Sequence, residues 1–142
     1  MTIPVLYIIM RTDLDSMNSG KAMAQASHAS NAFVKACNKA IETNTDRQPL
    51  CDAFEKWQNE TDQGFGTVLV LEGQAMSSIE DSIELLIGYG HIAGIVHDPT
   101  YPILDGHAVH HIPINTCGYV FVEDKNTHTA ASNILKHYNL HK

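Results

Sequence analysis

The sequence predicts a compact α/β protein of one domain, residues 1–142, with a mixed, mostly parallel β-sheet of about four strands flanked by helices. Short apolar runs at 3–10, 67–71 and 92–96 are rich in β-branched residues, which is typical of strands covered on both faces. Helical patterns separate these runs, as crossovers between parallel strands do. The length of 142 residues is that of one ordinary domain, so no second domain is expected.

Four helices are predicted between and after the strands. They lie at about 20–40, 51–59, 77–88 and 129–138. The first is rich in alanine and serine, so it can lie close to the sheet, and Asn18 or Ser19 can cap it. Ser77 and Glu80 have the spacing of a capping box at the start of the third helix.

The part of the chain after the third strand has a weaker pattern. Residues 98–102 contain two prolines and predict a turn. Two short strands are expected after this turn, near 108–112 and 119–122. The predicted element order is β-α-α-β-α-β-β, in which the pair of short strands is written as one, and the last helix follows.

Composition and charge restrict the classes of function. The net charge of −7 has the wrong sign for a nucleic-acid-binding protein, but six of the nine basic residues lie between Arg11 and Lys56. Residues 57–124 contain no Lys or Arg, so a phosphate-binding surface must come from the first third of the chain. Three scattered cysteines, a short first apolar run and no basic leader favour a cytoplasmic protein without a membrane segment.

Two segments that follow strands are the candidate sites for chemistry, because ligands of open α/β sheets bind beyond the carboxyl ends of the strands. One runs from Arg11 to Lys21 and the other begins at His97. Lys21 lies in the first turn of its helix, where the helix dipole disfavours a cation, so the position suits an anionic ligand or an oxyanion. Asp98 can orient a water, pair with Lys21 or cap the proline-rich turn.

Several residues in the first quarter of the chain carry a family resemblance. They are Arg11, Thr12, Asp13, Leu14, Met17, Gly20, Lys21, Ala22, Ala24, Gln25, Ala26, Ser27, His28 and Ala29. This pattern, a strand leading through a Gly-Lys turn into a small-residue helix, resembles the type II peptidyl-tRNA hydrolases. A weaker resemblance extends to about residue 112 and places Asp98 where that family has a DAGRT motif.

The resemblance implies hydrolysis of the ester that joins a peptide to the terminal ribose of tRNA, without a metal or an organic cofactor. It implies a compact mixed sheet, a homodimer, and a tRNA or an aminoacyl or peptidyl conjugate as the partner. Lys21 would hold a phosphate or the carbonyl oxygen, and Asp98 would place the attacking water. The substrate-binding candidates are Arg11, Asp13, Gly20, His28 and Thr100. His28 lies about 10 Å along the helix from Lys21, so we interpret it mainly as structural.

The chain also departs from the family pattern. It has Asp98-Pro99-Thr100-Tyr101-Pro102 in place of DAGRT, and the second family threonine would fall at Val109 or His110. Thr100 could supply the missing hydroxyl. The main alternative function is therefore a non-catalytic binding module of the same fold that retains an anion or tRNA pocket, and another is a hydrolase for a less anionic substrate.

The histidine-rich segment suggests a metal site only weakly. His107 and His111 would share one face of a strand while His110 points to the other, so at most two ligands converge. We predict no metal.

Overall fold

The structure is a computed structural model that describes residues 2–44 and 46–142. Five strands and four helices lie within these residues. The strands are β1 (Val5–Arg11), β2 (Val68–Gln74), β3 (Ile92–Asp105), β4 (Ala108–Val122) and β5 (Asn139–Leu140). The helices are α1 (Ser19–Thr43), α2 (Gln48–Gln58), α3 (Met76–Gly88) and α4 (Thr129–Leu135).

The strands form one mixed sheet in the order β3-β4-β1-β2-β5, with β1 in the centre. β1 pairs in parallel with β2, whereas the β1–β4, β2–β5 and β3–β4 pairs are antiparallel. The predicted α/β class and mixed sheet are confirmed, but a mostly parallel sheet of about four strands is wrong. The physical reason is that β3 returns through a hairpin, so β4 reaches β1 in the reversed direction.

Helices cover both faces of the sheet. Successive residues of β1 point to opposite faces, so Ile8 belongs to a core with α1 and α2, while Ile9 belongs to a core with α3 and α4. Phe33 of α1 and Trp57 of α2 are fully buried on the first face, with ring centroids 5.2 Å apart in an edge-to-face arrangement. The sheet is therefore the middle layer of three.

The start of α1 is as predicted and the start of α3 is not. The Asn18 side chain accepts a hydrogen bond of 2.9 Å from the Lys21 backbone N–H and caps α1. In contrast, α3 begins at Met76 with Ala75 as its N-cap residue, and no side chain caps it. The capping box predicted at Ser77 is wrong, because the helix begins one residue before Ser77.

The proline-rich segment is part of a strand and not a turn between strands. β3 continues through it to Asp105, with an irregularity in its pairing between Asp98 and Tyr101. β4 is likewise one strand of 15 residues where two short strands were predicted. β3 lies at the edge of the sheet, where a proline removes no ladder hydrogen bond on the solvent side.

The outer ends of β3 and β4 extend beyond the rest of the sheet. β4 pairs with β1 only from Cys117 onwards. The part of β4 before Cys117 is still paired with β3, from Tyr101↔Ile112 to Asp105↔Ala108. We call residues 101–112 the hairpin arm. Its tip, residues 104–111, is exposed.

The last helix is shorter than predicted, ending at Leu135, and β5 follows it at the other edge of the sheet. Within the described residues, no helix combines the length and the apolar character needed to cross a bilayer.

Candidate active site

The candidate site lies where the first turns of α1 meet the irregular segment of β3. α1 packs against both β3 and β4. Asp98 stands at the beginning of the interruption in β3–β4 pairing, and pairing resumes at Tyr101. Side chains from the start of α1 can therefore reach the backbone and the carboxylate of this segment.

Asp98 is held from two sides. Its residue is 8% exposed, and its Oδ2 accepts a hydrogen bond of 2.7 Å from Gln25 Nε2. Its Oδ1 accepts a bond of 2.9 Å from the Thr100 backbone N–H, and the Thr100 hydroxyl is 3.4 Å away. The carboxylate thus accepts from the backbone of the segment that follows it, which is the capping role considered for Asp98 in the sequence. Through Gln25 it also links β3 to α1.

The amide of Gln25 connects Asp98 to β4. Gln25 and Thr116 are fully buried, and the Thr116 hydroxyl donates to Gln25 Oε1 at 2.7 Å. Because the oxygen of the amide is occupied by this hydroxyl, its NH₂ group must point at Asp98. The three side chains form one buried hydrogen-bonded chain, which we call the Thr116–Gln25–Asp98 relay.

Lys21 contacts the same strand one turn earlier on α1. Its Nζ donates to the Pro102 carbonyl oxygen at 2.7 Å and lies 5.1 Å from the centroid of the Tyr101 ring. The ion pairs of 4.0 Å or less among the described residues are Arg11–Asp13 and His110–Asp105. Lys21 therefore contacts β3, the strand to which Asp98 belongs, but the two side chains do not form an ion pair.

Tyr101 fixes the base of the hairpin arm on the β1–α1 loop. The residue has no exposed surface, and its hydroxyl lies 3.1 Å from Ser16 Oγ. The same hydroxyl donates to the Met17 sulfur at 3.7 Å. The Tyr101 ring and the Pro102 carbonyl consequently hold the Lys21 ammonium against the protein.

Comparison with protein families finds a match. A family model described as Peptidyl-tRNA hydrolase PTH2 matches residues 4–100, which include Lys21, Gln25 and Asp98. The chain belongs to the PTH2 family. The resemblance found in the sequence is thereby confirmed, and the match ends just before the hairpin arm. Comparison with curated proteins finds no match.

The surroundings of Asp98 in this PTH2 member keep the carboxyl group ionised. Removal from water opposes ionisation, but the hydrogen bonds from the Gln25 side chain and the Thr100 backbone outweigh it, and the charge of His28 adds to them. Together they hold the pKa of Asp98 below its usual value of 3.8. Asp98 is therefore an anionic hydrogen-bond acceptor at neutral pH.

The lowered pKa of Asp98 predicts an acid-dependent stability. Because the folded state binds the proton less tightly than the unfolded state, Asp98 stabilises the fold fully above its ordinary value of 3.8. This stabilisation is lost as the pH falls from that value through the folded pKa. Urea unfolding between about pH 7 and about pH 3 should show a weaker loss for Asp98→Asn than for the unmodified chain. Parallel curves for the two proteins would contradict this assignment.

The other predicted site residues lie around the relay and Lys21. Arg11 and Asp13 bind each other through two hydrogen bonds of 2.7 and 2.9 Å, and the hydrogen bond from Arg11 lowers the pKa of Asp13. Gly20 lies in the first turn of α1, and His28 is exposed further along that helix. Lys21 thus contacts the strand that contains Asp98, whereas Arg11 and Asp13 are hydrogen-bonded mainly to each other.

Gln25 and Thr116 were missed as site residues by sequence reasoning. Gln25 belonged to the motif that carried the resemblance, and its spacing of four from Lys21 put both residues on one helix face. Thr116 was missed because its contact with Gln25 joins residues 91 positions apart, which local patterns do not show. The available signal was that Thr116 is the only threonine between Thr100 and Thr127.

Cysteine chemistry does not suit this PTH2 site. The Cys117 thiol is buried and donates to the Gln25 backbone carbonyl at 3.8 Å. Burial raises the pKa of Cys117 to about 12, so the nucleophilic thiolate is not formed at neutral pH. In the part of the chain that the structure describes, no group of three His, Cys, Asp or Glu residues is arranged to hold a metal ion.

Proposed function

We propose that the chain hydrolyses the ester bond of peptidyl-tRNA, or of a related aminoacyl or peptidyl carrier. Membership of the PTH2 family supports the reaction class. The main support for assigning a role to Asp98 is the relay, because its hydrogen bonds hold the ionised Asp98 carboxylate between α1, β3 and β4. Asp98 itself lies within the residues that the family model matches. A carboxylate fixed in this way is suited to orient a water without first having to reorganise.

Asp98 is the proposed acceptor for the attacking water. The water donates one hydrogen bond to the carboxylate and attacks the carbonyl carbon of the ester with its oxygen. As the new C–O bond forms and the ester C–O bond breaks, the Asp98 carboxylate accepts a proton from the water and passes it to the departing ribose oxygen. The products are a peptide with a free carboxyl group and a tRNA with a free terminal hydroxyl.

Lys21 is the proposed cation for the negative charge that develops on the carbonyl oxygen, or for a substrate phosphate. An ammonium has three N–H donors, and the Pro102 carbonyl uses one of them. The backbone N–H groups at the start of the 25-residue helix α1 add a partial positive charge nearby. Both contributions stabilise an anion more strongly than a neutral carbonyl.

The remaining site residues belong to the same proposal as substrate contacts. Gly20 leaves the first turn of α1 open to a ligand, and Thr100 offers a hydroxyl beside Asp98. Arg11, Asp13 and His28 border the site. A homodimer is part of the proposal because of the resemblance to the family, and a cytoplasmic location because of the three scattered cysteines.

Incubation of the purified protein with N-acetylated aminoacyl-tRNA tests the proposal. Release of N-acetyl amino acid well above the uncatalysed background is expected. The alternative, a binding module without turnover, draws support from the lack of Lys and Arg between residues 57 and 124 and from the engagement of Lys21 by Pro102. Retained tRNA binding with no release of amino acid would select that alternative.

Thr116→Val is expected to reduce the rate of hydrolysis about tenfold, because Val keeps the shape but removes the hydroxyl that orients Gln25. The Gln25 amide can then rotate, and Asp98 loses its fixed donor. The buried oxygen of Gln25 without a partner should also lower the free energy of unfolding by about 1–3 kcal/mol. Single-turnover kinetics and urea unfolding measure the two effects.

Thr127→Val is the matched control for this substitution. The Thr127 hydroxyl likewise donates to a buried side chain, in this case the Asp124 carboxylate, at 3.1 Å, but this pair lies beyond the C-terminal end of β4. It should lose stability without losing rate. An unchanged rate for Thr116→Val would show that the relay does not position the carboxylate.

A further inference from the structure

A groove on the solvent side of α3 is separate from the candidate active site. Its volume is about 520 Å³, and the exposed residues that line it are Asp81, Glu84, Leu85, Gly88 and Tyr89. α3 packs on the sheet through its opposite side, with Ile79 and Ile83. α1, which carries Lys21, packs on the other face of the sheet. We call this feature the α3 groove.

Two large apolar side chains of the α3 groove are open to solvent. Leu85 is 55% exposed and Tyr89 is 61% exposed. Their spacing of four residues makes them neighbours on the helix surface where α3 ends. Adjacent exposed apolar side chains with a polar rim are typical of surfaces that contact another protein. The groove therefore offers a partner an apolar contact.

The rest of the α3 groove carries negative charge that no nearby cation neutralises. Asp81 and Glu84 lie one turn apart, and neither forms an ion pair of 4.0 Å or less within the part of the chain that the structure describes. Residues 57–124 contain no Lys or Arg, and the sequence of α3 contains no His. The last turn of α3 has no basic residue, so the negative end of its helix dipole at Gly88 adds to the charge.

This charge determines the chemistry of the partner. The phosphates of a nucleic acid would be repelled, whereas a cation would be attracted. A guanidinium suits the groove better than an ammonium, because it can bind a carboxylate through two parallel hydrogen bonds and also stack on the Tyr89 ring. A small free cation would leave Leu85 exposed to water. A peptide can place an apolar side chain beside its arginine and cover Leu85 as well.

We propose that the α3 groove docks an arginine-bearing segment of a basic partner protein. A guanidinium binds the carboxylates of Asp81 and Glu84, and an apolar side chain of the same segment packs on Leu85. Because the charges are exposed, the contact is weak and salt-dependent. The proposal is independent of the ester hydrolysis proposed for the site on α1, and its test does not use that activity.

The acetylated pentapeptide amide Arg-Arg-Leu-Arg-Arg is a suitable probe. Its titration into the ¹⁵N-labelled full chain, followed by NMR, should shift the backbone amide resonances of Leu85, Gly88 and Tyr89. A second peptide with serine in place of leucine should bind about threefold more weakly, because the apolar contact is lost. Spermine has the same charge as the pentapeptide but no apolar side chain, so it should also bind more weakly.

A double variant and a matched control separate the groove from general electrostatic attraction. Asp81→Asn combined with Glu84→Gln should weaken binding of the pentapeptide at least about fivefold. Asp52→Asn combined with Glu55→Gln removes the same charge at the same spacing from exposed positions of α2, on the other face of the sheet. This control should bind as the unmodified chain does. Leu85→Ser should weaken binding without changing the urea unfolding curve, because the side chain is exposed.

Three results would overturn the proposal. The first is the absence of localised shifts at the end of α3 with the pentapeptide. The second is equal weakening by the two double variants, which would show that only the net charge of the protein attracts the peptide. The third is spermine binding as tight as that of the pentapeptide, which would assign the groove to small cations.

Discussion

Asp98→Asn is expected to lower the rate of hydrolysis of N-acetylated aminoacyl-tRNA by about 10²- to 10⁴-fold, the range typical of a lost general base. The asparagine has nearly the same shape, but Gln25 and the Thr100 backbone donate to different oxygens of the carboxylate, and one of these oxygens becomes an NH₂ donor in asparagine. It also lacks the charge that polarises a water. Single-turnover measurements at saturating enzyme report this step directly.

Loss of stability must be separated from loss of chemistry in this experiment. The substitution leaves one buried donor unsatisfied, so we expect a decrease of about 1–3 kcal/mol in the free energy of unfolding. Asp124→Asn is the matched control, because Asp124 is 7% exposed and accepts from the backbone N–H groups of Ile3 and Asn126. It should lose similar stability and retain the rate. A fully active Asp98→Asn protein would remove Asp98 from the mechanism.

Lys21→Met is expected to reduce the same rate by about 10²- to 10³-fold, as removal of one oxyanion-stabilising donor does in other hydrolases. The methionine keeps an apolar stem beside the Tyr101 ring but removes the ammonium. The change in stability should be below about 1 kcal/mol, because the lost hydrogen bond to Pro102 is offset by relief of a cation at a helix N-terminus.

Lys39→Met tests whether the effect of Lys21 is specific. Lys39 is exposed on the same helix, about 27 Å along its axis from Lys21. Its loss changes the net charge equally, so a general electrostatic effect on tRNA binding would appear in both variants. A large decrease in rate for Lys21→Met alone supports a local role. Equal rates for the two variants would contradict the proposed role of Lys21.

Sequence reasoning located the main elements of the fold. β1 was recognised as a central strand from its unbroken apolar run, and Asn18 caps α1 as predicted. Lys21 was placed after β1 and does contact β3, whereas Asp98 was placed after the third strand and in fact lies within β3. These features depend on local patterns, such as apolar runs and capping residues, which short stretches of sequence contain.

The features that the sequence did not predict depend on distant partners. Pro99 and Pro102 signal a turn locally, but at the edge of the sheet they are compatible with a continuous strand. The pairing of β3 with β4 on both sides of the irregularity between Asp98 and Tyr101 outweighs that local signal. The orientation of the Gln25 amide likewise follows from contacts with Asp98 and Thr116, which are 73 and 91 residues away.

The position of β4 between β3 and β1 has a consequence for the order of folding. β1 is complete by Arg11, but one of its two neighbours ends only at Val122. Contacts between such distant segments form slowly, because a large loop must close before any favourable contact compensates for its entropy. During synthesis, a nascent chain that has not reached Thr116 cannot assemble the relay at all. Gln25 of α1 must therefore wait for β4 before its side chain can join the relay.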